Sequence, residues 1–367
     1  MNFLVRLYAL SFFYVTVTSP HIVSHAFQDN NNRLQDINKT IVVDQSGKGN
    51  FKTIQSAIDS VPSGNDHWIK IYVREGIYNE KVVIPRDKPK IQMEGNKASE
   101  TIIQFNEGGE AVTGATFRVL AEYFVAINIT FKNTCNQEKP MTPFGEIKIA
   151  PAVALVADKA AFFGCGFYSV QDTIGDVLGR HYFEKCHIKG AIDFIWGKGQ
   201  SIYQSCVIDI LGVIKTAKEE QVNRGRLIGG FITAQGRETE QEPNGFVFNE
   251  CSIIGVGKAF LGRAYRNYSR VIFFNTYMAD VIVPQGWDPW SFRGKEDKFT
   301  YAEVNCSGPG AKKEKRVTWE KNLSTRDVSY FTNPKTFLDK DGWIRTLPPH
   351  PFSFHPPSFD LDENSFG

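Results

Sequence analysis

Six short segments of this chain share one shape: bulky apolar residues, then a Cys or Asn, then another apolar residue two places on. They are FVAINITF (124–131), AAFFGCGF (160–167), HYFEKCHI (181–188), SIYQSCVI (201–208), FVFNECSI (246–253) and VIFFNTYM (271–278). Aligned on that shape, Asn128, Cys165, Cys186, Cys206, Cys251 and Asn275 are equivalent, at spacings of 37, 21, 20, 45 and 24 residues. A unit of about 21 to 24 residues, with strand-type alternation and no helical stretch between units, predicts coils stacked one on another. The expected fold is all-β, a parallel β-helix running as a single-stranded solenoid, with the Asn and Cys residues forming one internal ladder. The competing reading is an antiparallel sandwich with accidental spacing. Composition favours strands: 31 Ile stand against 14 Leu, and β-branched side chains suit pleated surfaces better than helices.

Outside the repeat, NFKTIQSAIDSVP (50–62) has helical apolar spacing and ends at Pro62, which predicts a short N-terminal capping helix. Beyond about residue 300 the sequence turns polar and Pro-rich. The basic run Lys312, Lys313, Lys315 and Arg316 there reads as a solvated loop. No linker marks off a second domain.

Residues 1–26 read as a secretory signal. Arg6 lies in a short basic region, an apolar stretch runs from Leu7 to Val17, and Ser24 and Ala26 precede a cut that would leave Phe27 as the mature N-terminus. That stretch is far shorter than the roughly 20 residues needed to cross a membrane, so a secreted, extracellular protein is expected. The formal net charge of +2 argues against a nucleic-acid partner, whose phosphates require a basic excess. In an oxidising compartment the six cysteines make one or more disulfides plausible, with 15 full pairings open. No metal-type Cys or His spacing accompanies them. Glycosylation sequons stand at Asn38, Asn128, Asn267, Asn305 and Asn322.

The ladder also supplies a register. Seven residues beyond Cys165 and Cys186 lie Asp172 and Asp193. Coils about 4.8 Å apart would hold the two carboxylates roughly 5 Å from each other. At an effective dielectric near 20, like charges at that distance repel by roughly 3 kcal/mol, or about two pKa units. One should keep its proton while the other ionises. Such a pair serves glycoside hydrolysis or acyl transfer through a carboxylate nucleophile. Gln171 offers an amide donor for an oxyanion, and Arg263 offers a bidentate partner that would hold one Asp ionised. Tyr265, Trp196, Trp287 and Trp290 are candidates for an aromatic wall against sugar rings.

The motifs QDT (171–173), DFIWG (193–197) and LGRAY (261–265) resemble those of plant pectin methylesterases, the pectinesterase family. GNFKTIQSAID (49–59), GIYNEKV (76–82), AVALVADKAAFFGCGF (152–167), TAQGR (233–237) and GPGAKKEKRVTW (308–319) extend the resemblance over about Ile41 to Trp343. It implies a right-handed parallel β-helix that hydrolyses galacturonic acid methyl esters in cell-wall pectin (homogalacturonan), without metal or organic cofactor. By position, Asp193 would be the nucleophile, Asp172 the acid and then base, Gln171 the oxyanion donor and Arg263 the residue that orients Asp193. Tyr265, Trp287 and Trp196 would bind substrate. A proteinaceous pectinesterase inhibitor is a candidate partner, and a monomer is expected. The resemblance divides the chain into a signal peptide (1–26), a short extension (27–40), the catalytic β-helix (41–345) and a C-terminal tail (346–367), without the inhibitor-like pro-region of many plant members. The alternatives are a wall-polysaccharide-binding protein with weak or no esterase activity, and a pectin glycosidase or lyase. Three positions depart from the family's usual residues: Pro151 for Gln, Tyr265 for Trp and Trp196 for Phe.

Overall fold

The computed structural model describes residues 37–136, 147–211 and 230–350. The proposed signal, most of the short extension and residues 351–367 of the tail lie outside these residues. Among the described residues, three parallel sheets of ten, eight and eight strands wind into a right-handed β-helix. Each coil gives one strand to each sheet: Ala160–Phe163, Gly166–Tyr168 and Ile174–Leu178 are followed one coil on by Arg180–Glu184, His187–Gly190 and Ile192–Gly197.

Inward-facing residues stack on their equivalents. In the ten-stranded sheet the pairs Phe162–Phe183, Phe183–Tyr203, Tyr203–Phe248 and Phe248–Phe273 lie in register. Their ring centroids are 5.1, 4.5, 4.6 and 4.5 Å apart and their planes nearly parallel. Each pair adds about 0.5–1.5 kcal/mol beyond the area it buries. The outer face of this sheet is apolar too, because Val125, Phe163, Ile202 and Val247 pack under Phe331, Phe337, Trp343 and Leu347 of the C-terminal segment. Thr300–Val304 adds a further strand, and helices Thr325–Thr332 and Pro334–Phe337 follow. The N-terminal end is closed by the expected helix, Ile54–Asp59, capped by Thr53.

The internal ladder is displaced by one residue at its Asn members. Phe163 pairs with Ile127 and Asn249 with Phe274, so Cys165 lies over Ile129, and Cys251 next to Thr276. Thr276 Oγ1 donates to the carbonyl two residues back at 3.1 Å, as the Cys Sγ atoms do, Cys306 among them. Asn128 and Asn275 belong to the preceding row, with Gly164, Lys185, Ser205, Glu250 and Asn305, all left-handed at φ 49–59°. Asn tolerates that conformation well, and a shape match built on small polar residues merged the two rows. Asn128 is accordingly half-buried, not buried. All six cysteines are free thiols, so the expected disulfides are replaced by a stack of thiols bonded to backbone carbonyls. The basic run is only partly solvated: the Arg316 side chain is buried, with Nε 2.6 Å from Glu303 Oε1, a charge pair at the C-terminal end of the stack.

Candidate active site

Register carries Asp172 and Asp193 to equivalent places. Cys165 and Cys186 stack, Tyr168 pairs with Lys189, and Gln171 bridges Ile192, so the Asp172 N–H donates to Ile192 O at 3.0 Å. Asp172 sits in the turn just before strand Ile174–Leu178 and Asp193 at the bulged start of the next strand of that sheet, Ile192–Gly197; both are buried, and both are left-handed, at φ 64° and 48°. Asp is among the residues that accept this conformation. The two aspartates thus occupy equivalent places on neighbouring coils, which are spaced about 4.8 Å apart, and the negative charge of Asp193 acts on Asp172.

Their surroundings differ. Arg263, on strand Phe260–Ala264, donates from Nη2 to Asp193 Oδ2. Asp193 Oδ1 is buried and accepts no hydrogen bond among the described residues. Burial pushes the Asp193 carboxyl up, and the Arg263 charge and hydrogen bond pull it back. Among the described residues Asp172 has no direct cationic partner. Burial first, then the negative charge of Asp193, push it up to about 8, against smaller opposing effects of Arg263 and of a hydrogen bond from Gln171. Near neutral pH, Asp172 keeps a proton, and Asp193, although burial raises its carboxyl overall, is the member whose anion the Arg263 cation favours.

One outward row of the same sheet runs through paired residues Ala154, Gly175, Trp196, Ala234, Arg263 and Asp288. Trp196 lies over Gly175, where a Cβ would come within 2.8 Å of its ring, and its Nε1 donates to Asp172 O at 3.2 Å. Trp196 thereby pins the Asp172 turn. Trp287 does not join the wall: it is 1% exposed and stacks on Tyr301 at 4.5 Å inside the core. Strand alternation is the reason, because Trp287 pairs with Gly262 on the inward row while Asp288 takes the outward one. Trp290, 40% exposed, takes the surface place. Its ring stacks on Tyr265 at 5.6 Å and lies 4.1 Å from the Arg263 guanidinium carbon, whose other aromatic neighbour is Phe231 at 4.6 Å. Tyr265, 37% exposed, also has Arg266 over its ring at 4.7 Å, so its ring meets protein groups as well as solvent. Phe231 carries no motif, and only the fold brings it to Arg263.

Pro151 lies one coil before Asp172. The amides on either side of it, Ala150 and Ala152, donate to Gln171 O and Thr173 O at 3.3 and 2.9 Å. Its own carbonyl accepts from Thr116 N–H and Asn133 Nδ2 at 3.1 and 3.0 Å. Pro brings no donor of its own to this place.

The pectinesterase family model matches residues 40–341, a span that includes both aspartates and Arg263. Two Arabidopsis thaliana proteins, probable pectinesterase 29 and probable pectinesterase 55, are 44% and 45% identical over 315 and 313 residues. Each alignment covers 84% of this chain, with 89% and 91% of the relatives. Among solved structures, the pectin methylesterase from carrot superposes with a TM-score of 0.73 at 27% identity, over 84% of this chain and 97% of that one. A match along nearly the whole solenoid, in sequence and in fold, leads to one conclusion: the chain belongs to the pectinesterase family.

Proposed function

We propose that this chain hydrolyses the methyl esters of galacturonic acid in cell-wall pectin, releasing methanol, with Asp193 as nucleophile and Asp172 as acid and then base. The observation that carries the reading is the asymmetry of the pair: Arg263 bonds to Asp193, while Asp172 is pushed up to about 8. The unpaired Oδ1 of Asp193 attacks the ester carbonyl, and the carbonyl electrons move to an oxyanion that the Gln171 amide stabilises. The oxyanion collapses to an acyl-enzyme anhydride as methoxide leaves and takes the Asp172 proton. Asp172, now a carboxylate, removes a proton from water, and the resulting hydroxide attacks the acyl carbon. Galacturonate and the Asp193 carboxylate are released, and Asp172 holds the proton for the next turnover. The one proton left on the product carboxyl by the attacking hydroxide passes to solvent.

Pro151 supplies no side-chain amide beside this oxyanion, which supports a slow esterase rather than an inactive one. The substrate class, methyl-esterified homogalacturonan, follows from the same chemistry. Action at the cell wall after secretion, a monomeric state and regulation by a proteinaceous inhibitor are parts of the proposal that rest on sequence. Among the described residues no helix is long and apolar enough to cross a membrane. Three products measured together on methylated pectin test the reading: methanol without new reducing ends or unsaturated uronides is expected. Reducing ends would indicate a glycosidase, unsaturated products a lyase, and neither with no methanol a binding protein.

A further inference from the structure

The guanidinium that holds Asp193 is itself held by stacked rings. Phe260 stacks on Phe231 at 5.1 Å, Phe231 faces the Arg263 guanidinium at 4.6 Å, and Trp290 covers it at 4.1 Å. Tyr265 then stacks on Trp290 at 5.6 Å, and the Arg266 guanidinium lies 4.7 Å from the Tyr265 ring. Phe260, Phe231, Arg263, Trp290, Tyr265 and Arg266 thus form one column. Its outer end is tied down by Arg266 Nε at 3.2 Å from Glu238 and by Lys198 at 2.7 Å from the same carboxylate.

Two features set Trp290 apart from an incidental wall residue. It is a bulky side chain at φ 48°, a left-handed conformation that such residues rarely adopt, and its amide donates to Asp288 Oδ1 at 2.7 Å, which holds the turn in that strained form. A strained residue kept in place by its surroundings points toward function. In addition, Arg263 Nε is buried without a hydrogen-bond partner, so Nη2 to Asp193 is its only hydrogen bond among the described residues, and the rings must fix the plane of the fork. Rings on its faces attract the cation and keep water from solvating it.

We propose that Trp290, with Phe231, is a positioning residue for ester hydrolysis: the two rings clamp Arg263 so that its charge stays fixed on the Asp193 carboxylate. This rests on the nucleophilic role proposed for Asp193. The charged or titratable groups facing Asp193 are Arg263 and, from the neighbouring coil, Asp172. Without the clamp the guanidinium tilts away, and Asp193 becomes easier to protonate and worse placed for attack.

The test compares Trp290→Phe, which keeps a π face, with Trp290→Leu, which keeps an apolar cover without one. Both are checked for folding by near-ultraviolet circular dichroism and thermal unfolding. The Leu variant is expected to lose about tenfold in kcat with KM within about twofold. The acidic limb of its kcat/KM profile should move up by about half to one and a half pH units. The Phe variant should stay within about threefold of wild type, with the limb unmoved. Titration of Asp193 by infrared difference against Asp193→Asn should show the same upward shift in the Leu variant, and this readout needs no turnover. A failure of the wild type to release methanol counts against the assignment of function, while the titration still decides the clamp. The proposal is overturned if Leu and Phe variants behave alike, or if the Leu variant raises KM with kcat and the titration unchanged, which would make Trp290 a sugar-contacting wall. If Trp290→Leu does not fold, Phe231→Leu replaces it, with the same expectations and the same contrary results.

Discussion

The stacked rings in the interior and the stacked carboxyls in the turn obey the same geometry and have opposite consequences. In both places residues one coil apart face each other at a spacing of about 4.8 Å. Phe162, Phe183, Tyr203, Phe248 and Phe273 gain dispersion and bury apolar surface by stacking. Asp172 and Asp193, buried and of like charge, are destabilised by the same stacking, and the fold relieves it by placing a proton on one and an arginine on the other. A solenoid ladder amplifies whatever chemistry it repeats. Repeated apolar residues make a scaffold, and repeated acids make a pair with divided protonation.

The largest effect should come from removing the ionised member. Asp193→Asn is expected to lower methanol release by at least about 10⁴-fold, or roughly 5.5 kcal/mol of barrier, with unfolding unchanged or slightly improved. A folded variant that still releases methanol would break the contrast, because the turn would then be a second scaffold ladder. The converse substitution belongs to the interior. Phe183→Ala, which empties the middle of the ring stack, should cost about 3–5 kcal/mol in denaturant unfolding while the folded fraction keeps its kcat. A loss below about 1 kcal/mol would show that the stack does not hold the coils together.

A third expectation links the two regions through pH. Asp172 holds its proton to about 8 in the fold, whereas in the unfolded chain it would release it near 4. The folded state therefore binds more protons across that window, and its stability falls as pH rises from about 4 to about 8. We expect Asp172→Asn to remove this loss, about 5 kcal/mol over that window, and an unchanged slope in the variant would count against the perturbed carboxyl. The smallest effect concerns the donor that Pro151 lacks. Pro151→Gln should raise kcat by up to about tenfold, roughly 1.4 kcal/mol, with less change in KM. An enzyme that folds normally and is no faster would mean that the oxyanion is held without help from this position.

Much of this contrast is legible in the sequence because register survives wherever coils have no insertions. Between Cys165 and Cys186 the chain takes one uninterrupted turn, so counting seven residues reaches both aspartates. Handedness of individual residues does not show in the same way. Asn128 and Asn275 look like Cys equivalents by size and polarity, but they occupy the left-handed place one residue earlier. The cysteine spacing suits a disulfide and a thiol stack equally, and only side-chain directions separate them. Trp287 and Trp290 are three residues apart in a segment that changes from strand to 3-10 turn, where neither the strand period nor the helical one assigns a face. The ring pair around Arg263 joins residues 231, 263 and 290 from successive coils, with no local signal at Phe231. The C-terminal helices were hidden by their Pro-rich text, although Ser324 and Asp327 form a capping box at the start of one.

The central claim is that the proton of the carboxyl pair resides on Asp172 while Asp193 is ionised. Infrared difference spectroscopy of the carboxyl stretch tests it most directly, in wild type, Asp172→Asn and Asp193→Asn across pH 4 to 10. The account predicts a protonated-carboxyl band in wild type that titrates near 8 and is absent in Asp172→Asn. In Asp193→Asn the band should titrate at lower pH, because the neighbouring negative charge is gone. A band that persists in Asp172→Asn and vanishes in Asp193→Asn, or no such band above pH 6, would contradict the assignment.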